Sequence, residues 1–529
     1  MQAQLNVEPT RAEADRWWMM DDRGRRARSA APYLKVLPSP CPLPEGEGED
    51  SARPASHAPA PRQSRRLQIE NLRYSRLQIC ATLLRLWRAC GDETSPPRRW
   101  LFVSLAAALG CCCVQVRGQD FASVAKTYRP KLETNLMGNV VPFWYSKTLD
   151  EKNGGYLLNH DIEGRLKGEG TKMIVTQARQ VWLFSHLSRL GYGGHSYLEG
   201  AGLGYRFLKA KMWDEKNGGF YWEVDVTGDK KLRTKKHLYG ECFALYALSE
   251  YYLASGNQDA LGLATELFKV LEEKAHDKTY GGYREWFNED WTPAPPGESS
   301  YMDSVGSEFK LMNTHLHVLE ALTTFYRASK LPLARERLLE LIAIQSNAVV
   351  RKGLGACTDK YRLNWEPVLT GDFARVSYGH DLENIWLLID ACQAAGISTY
   401  PLLDLYRAMF DYSMKYGFDE EQGGFFTSGA FNASASSREK TWWVQAEALV
   451  SSLYMYRLTQ EAKYLRVFQK TYDWVEQHQV DWKRGEWYEN VMPDGMPRGD
   501  KAQAWKGGYH DGRALMECIE ILKGATGGG

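Results

Sequence analysis

No Cys-x-x-Cys pair and no His-Glu-x-x-His stretch occurs in the 529-residue chain, so the spacings that announce a zinc site are absent. Cysteine is thin in the part that reads as folded. Six of ten fall within the first 113 residues, leaving Cys242, Cys357, Cys392 and Cys518. Those four are widely spaced in apolar helical runs, which predicts buried free thiols in place of a disulfide framework. Neither sign of charge prevails, with 66 basic against 65 acidic residues. That balance speaks against a nucleic-acid or anionic-membrane partner. The apolar stretch Leu101 to Val116 has sixteen residues, short of the ~20 that cross a bilayer, so no membrane span is expected. Aromatic side chains, by contrast, abound, with 18 Trp and 29 Tyr. A helical core rich in large side chains or a carbohydrate-binding surface would each use them.

Residues 1–97 do not read as a folded domain. Ala31 to Arg62 holds eight of the chain's 21 prolines, a composition that predicts a disordered or non-native N-terminal extension. At Arg98-Arg99 a different layout begins. Two basic residues precede Leu101 to Val116, and Gly118 follows, which is the order of a secretory signal over 98–118. The folded domain is then expected over 119–529. Secretion or a periplasmic location follows if the segment is used, and a cytoplasmic one if it is not. Sequencing the N-terminus of the natively expressed protein decides between them.

From Asp120 onward a repeat organises the chain. Asp-x-x-x-Gly-Gly-aromatic stands at Asp150, Asp214, Asp277 and Asp419, with weaker versions at Asp359 and Asp481. Successive spacings are 64, 63, 82, 60 and 62 residues. Gly-Gly breaks helices and admits positive φ, and the aromatic-rich residues after it predict a short hairpin. Between signatures lie two segments with apolar residues at three- and four-residue spacing, the period of amphipathic helices. Six two-helix units predict an all-α (α/α)6 barrel with short β-hairpins in its connections. An open solenoid is the alternative for such a period. The long interval predicts an insertion around Trp291 to Gly306.

The opening turns of the helix after each hairpin hold polar and aromatic side chains at matching places. They are Arg179, Tyr239, Asn313 with His317, His380 with Glu383, Trp443 with Glu447, and Trp505 with His510. If the units close into a ring, these helix starts converge at one mouth. His380, Glu383 and Trp386 are spaced to share a helical face. This predicts an imidazole whose tautomer Glu383 holds, beside an aromatic wall suited to a sugar ring. His315 points away from His317 and reads as structural, as do His237 and His186.

The stretches MNTHLHVLEA, SYGHDLENIW, TWWVQAEA and AWKGGYH, in that order, resemble the motifs of cellobiose 2-epimerases within the N-acylglucosamine 2-epimerase superfamily. The resemblance covers roughly residues 120–525. It implies an (α/α)6 barrel that reversibly epimerises C2 of a reducing-end glucose or mannose unit, with no metal and no redox cofactor. It further implies that His380 and His510 are the acid/base pair and that His317 assists ring opening. Arg179, Tyr239, Asn313, Trp443, Glu447 and Trp505 match positions that bind the sugar. Glu383 and Trp386, read from their shared face, complete the expected substrate-binding set. A small carbohydrate is the expected partner, and the chain is expected to be a monomer or weak homodimer. One departure touches the site: WKGGYHDGR stands where the family more often has a bulkier, proline-containing stretch.

The chemistry asked of these residues is consistent. Inverting a carbon beside a carbonyl needs a base on one face and an acid on the other, and imidazole serves as either near neutral pH. The enediolate between the steps is anionic. A fixed guanidinium such as Arg179 would stabilise it by about 3–4 kcal/mol, the worth of an oxyanion-hole donor. An aldose–ketose isomerase on the same scaffold would use the same intermediate. A glycoside hydrolase would rest on two carboxylates such as Glu383 and Glu447. A glycan-binding protein would have no use for paired histidines.

Overall fold

A computed structural model of the chain describes residues 121–524, and the extension and signal-like segment expected over 1–118 lie outside them. The described residues form an (α/α)6 barrel. The outer helices are α1 (Phe121–Asn135) continued by α2 (Val141–Thr148), α4 (Ser196–Phe207), α6 (Gln258–Val270), α8 (Pro332–Ala343), α10 (Leu403–Gly417) and α12 (Ala462–Trp474). The inner helices are α3 (Ile174–Arg189), α5 (Leu238–Ser255), α7 (Met312–Ser329), α9 (Tyr378–Ala395), α11 (Trp442–Thr459) and α13 (His510–Lys523). Inner helices are covered on all sides. In α5 every residue from Leu238 to Tyr251 is buried. Outer helices bury one stripe, as Ala260, Leu263, Ala264, Leu267 and Phe268 do in α6. No described helix is long and apolar enough to cross a membrane.

Closure, which spacing alone left open against a solenoid, is visible where the ends meet. Tyr128 of α1 donates to Asp473 of α12 at 3.0 Å, and Lys131 pairs with Glu476 at 2.6 Å. A β-bridge between His160 and Ala502 joins the first hairpin to the approach of α13. Around the mouth each unit is laced to the next by strand pairing. Thr171–Met173 pairs with Glu223–Asp225, Lys236–His237 with Trp286–Phe287, and Phe309–Leu311 with Lys360–Arg362.

The repeated signature has a physical origin in these turns. Asp150, Asp214, Asp277 and Asp419 each accept from a lysine that stands one or two residues before an inner helix. The partners are Lys172 (2.7 Å), Lys236 (2.9 Å), Lys310 (2.8 Å) and Lys440 (2.9 Å). The second glycine is forced by a close approach. At Gly155, with φ +71°, a Cβ would meet Gln177 Oε1 at 2.6 Å. That same oxygen accepts the N–H of Tyr156 at 2.9 Å, tying hairpin to helix. Glu241, His315, Asp381 and Gln445 do the same in the next four units.

One expectation is corrected. The fourth hairpin lies over Val350–Cys357 and not at Asp359. Arg351 and Cys357 stand there in place of the aspartate and the aromatic, which hides the turn from a motif search. Asp359 instead accepts the Asn313 N–H at 2.9 Å in the first turn of α7. The insertion falls where expected, in the connection leading into α7, with Trp291 buried there and donating to the Gly218 carbonyl at 3.0 Å. Cys242, Cys357, Cys392 and Cys518 are buried free thiols.

Because Lys236 and Asp214 are 0% and 1% exposed, Lys236→Met strands a buried carboxylate. The variant is expected to lose about 3–5 kcal/mol, read as a lower urea midpoint. Adding Asp214→Asn should recover much of the loss. Equal stability of wild type and Lys236→Met would show that the pair does not hold the turn.

Candidate active site

Six inner-helix N-termini open onto one mouth, and each carries the positive end of its helix dipole there. The residues singled out by sequence meet at this place. Arg179 donates to Tyr239 Oη at 3.1 Å and to the Trp505 carbonyl at 3.1 Å, with its guanidinium 4.2 Å from the Phe243 ring. The Tyr239 ring stands 5.2 Å from that of His317 and 6.2 Å from Trp505. His380 lies 4.8 Å from Trp443, and Trp443 lies 5.8 Å from His510. Asn313 Oδ1 is buried with no protein partner among the described residues.

Two of the three histidines are held by carboxylates. His317 Nδ1 donates to Glu320 at 3.0 Å and His510 Nδ1 donates to Glu447 at 2.7 Å. In each ring Nε2 is then the basic nitrogen, which is how an outer carboxylate fixes a tautomer. Glu383 was expected to do this for His380, and it does not. Its Oε1 accepts from Arg513 Nη2 at 2.8 Å. Trp386, expected as a sugar-facing wall, is 3% exposed and donates its indole N–H to Glu447 at 2.8 Å. Both side chains support the site from behind, because three-residue spacing brings residues to one face without saying what covers that face. The indole beside His380 belongs to Trp443, on the next inner helix.

Arg513 and Tyr509 are the members that sequence reasoning missed. Arg513 bonds Glu383, Glu447 at 2.7 Å and Glu320, and it lies 4.7 Å from the Trp386 ring. Tyr509 donates to Glu320 at 2.5 Å. A signal was available: Arg513 follows His510 by three residues, as Glu320 follows His317 and Glu383 follows His380.

The remaining histidines are structural in their contacts. His315 uses Nε2 for the Tyr283 N–H and Nδ1 for the Leu311 carbonyl. His237 accepts the Tyr239 N–H at the start of α5, and His186 pairs with Glu250 at the far end of the barrel.

Electrostatics keep the site imidazoles neutral. Burial, then the charges of Arg179 and Arg513, pushes His510 well below the ordinary imidazole value. Burial lowers His317 against the pull of Glu320, and burial with the neighbouring His317 takes half-buried His380 down to about 3. Glu320 stays ionised: burial opposes its charge, but Arg513 and His317 hold it at about 2. Burial and the charge of Glu447 push Glu383 well up. Glu383, Glu447 and His510 also place donor atoms within 4.8 Å of one another, as a metal site would. The donors do not suit one. Both Glu447 oxygens are already taken, by His510, Arg513 and Trp386, and a guanidinium stands where the cation would.

A model of the N-acylglucosamine 2-epimerase (GlcNAc 2-epimerase) family matches residues 155–514. The cellobiose 2-epimerase of Dictyoglomus turgidum is 29% identical over 411 residues, covering 75% of this chain and 99% of that protein. That of Ruminococcus albus is 31% identical over 398 residues, covering 74% and 97%. The solved structure of the cellobiose 2-epimerase from Bacillus thermoamylovorans B4167 superposes with a TM-score of 0.69. It is 31% identical, with 75% of this chain and 99% of that chain covered.

The lowered imidazoles fix the sign of a pH dependence. A base whose pKa is depressed stays neutral as pH falls, so kcat/KM should hold from neutrality down past about 6.5, the unperturbed value. An acid limb at or above that value would contradict the electrostatics described.

Proposed function

The chain belongs to the N-acylglucosamine 2-epimerase family and is a sugar 2-epimerase, an isomerase; on that premise we propose that it interconverts the C2 epimers of a reducing-end glucose or mannose unit. The preferred substrate is cellobiose or a related β-1,4 disaccharide, after the named activity of the relatives aligned over nearly their whole length. The observation that carries the reading is the convergence of three neutral imidazoles on one mouth beside Arg179.

The open-chain sugar presents a C1 carbonyl, which acidifies the C2 hydrogen. One imidazole of the pair His380 and His510 removes that hydrogen, and Arg179 stabilises the cis-enediolate. The other imidazole returns a proton to the opposite face. That ring is neutral in the free enzyme; the anion beside it raises its proton affinity, so it takes a proton from solvent and passes it to C2, while the first imidazolium releases the abstracted proton to solvent. His317, with Glu320 on Nδ1, handles the proton at O1 or O5 during ring opening. Trp443 and Trp505 offer apolar faces to the sugar, Tyr239 and Asn313 complete the polar lining, and Glu447, expected to bind the sugar, instead acts from behind His510. No step asks for a metal or redox group, so activity should survive exhaustive EDTA treatment and dialysis.

Product analysis tests the activity. Cellobiose, lactose, glucose and mannose are incubated with the protein and separated by chromatography; a C2 epimer is expected. A ketose would instead favour an isomerase that returns the proton to C1, and released monosaccharide would favour a hydrolase.

The roles of the two bases are tested by His380→Asn and His510→Asn in D2O. Each should lose about 10²- to 10⁴-fold in epimerisation. One variant should exchange the C2 hydrogen of the gluco epimer only, and the other that of the manno epimer. If both label the same epimer, the opposite-face assignment is wrong, and His317 takes one of the roles.

A further inference from the structure

His317 and His510 sit on different helices, α7 and α13, yet their carboxylate partners meet at one side chain. Arg513 Nη1 donates to Glu320, and its Nη2 donates to Glu447 at 2.7 Å and to Glu383 at 2.8 Å. The guanidinium is 1% exposed, and all three carboxylates are at most 3% exposed. A planar fork with five donors can serve carboxylates from three helices at once, whereas an ammonium on a flexible stem cannot hold that geometry.

We propose that Arg513 is a positioning residue for both histidines. Its guanidinium pins Glu320 and Glu447, and through them it fixes which nitrogen of His317 and of His510 faces the mouth. The inference rests on the reading of these histidines as proton-handling groups.

A consequence follows from charge. The groups facing His510 are Glu447 from α11, Glu383 from α9, Glu320 and His317 from α7, Arg179 from α3 and Arg513 from its own helix. His317 is faced by Glu320, Arg179, Arg513, the Tyr239 ring, His380 and His510. Of the cations in both sets, Arg513 alone bonds the carboxylate partners of both rings. Removing it deletes a positive charge and frees two carboxylates, and both changes favour imidazolium. The acid limb of the rate must then move to higher pH.

A second observation supplies a separate test. Arg513, Glu320 and Trp386 also line a cavity of about 130 Å³ on the far side of the guanidinium, toward the C-terminal ends of the inner helices. Truncating Arg513 joins its own volume to this cavity, so a free guanidinium ion has room to take the missing position. That ion stays charged at any working pH.

The experiment compares Arg513→Ala and Arg513→Lys in the full-length protein with wild type, His317→Asn and His510→Asn. Arg513→Ala is expected to lose about 10- to 100-fold in kcat, the usual cost of removing a group that orients a reacting ligand or base, with KM little changed. Its acid limb should move up by about one pH unit or more. Millimolar guanidinium chloride, but not equal sodium chloride, should restore at least about tenfold of the rate. Arg513→Lys keeps the charge and loses the fork. Its acid limb should match wild type while kcat falls about tenfold.

A folded Arg513→Ala whose acid limb does not move overturns the proposal. If that variant does not fold, Arg513→Lys decides, and full kcat in Arg513→Lys also overturns it. Full activity in the two histidine variants would instead sink the reading of those residues. The two failures are thus told apart.

Discussion

Arg513 faces Glu320, Glu383 and Glu447 across a buried space, and its ion pairs join helices α7, α9, α11 and α13 at the barrel axis. Without the guanidinium, three carboxylates would share one buried site with no cation bonded to all three, which is costly. With it, Glu320 is held at about 2, while burial and the charge of Glu447 push Glu383 well up. The imidazoles above inherit their orientation from this layer. His317 and His510 present Nε2 to the mouth because Nδ1 is spoken for.

The rim is built by a different and repeated device. A buried lysine ahead of an inner helix reaches back to the aspartate of the preceding hairpin, and a polar side chain in the helix's first turn accepts an N–H of the hairpin. In these four units the helix start is thereby held at a set height relative to its neighbour. A site assembled from six helix starts depends on that height, since an error in one unit would displace one side chain from the shared mouth. The rim and the axial cluster do separate work: one fixes where the helices begin, the other fixes how the side chains near the axis are turned.

Much of this was legible in the sequence because it is local. Helical period, glycine pairs and the recurrence of one turn every sixty-odd residues are short-range patterns, and they led to six units and to the places where Arg179, Tyr239, His317, His380, Trp443 and His510 stand. The fourth hairpin escaped because its function survives substitution: Val350 and Cys357 complete the same backbone bridge without the signature side chains. The aspartate–lysine pairs escaped too, since a lysine 21 to 33 residues from its aspartate leaves no periodic trace.

The sequence by itself determined the architecture, the ring of candidate residues and the family likeness, for each of these is written in spacings within one or two helical turns or in short motifs. Only the tertiary structure decided which carboxylate serves which imidazole. Glu383 lies three residues from His380 and yet pairs with Arg513, while Glu447 serves His510 from 63 positions away. A helical face specifies a direction, but which partner fills that direction depends on the neighbouring helix. Closing the ring brings α11 and α13 together and sets a guanidinium among three carboxylates. Charge pairing in a buried, low-dielectric place then overrides proximity along the chain.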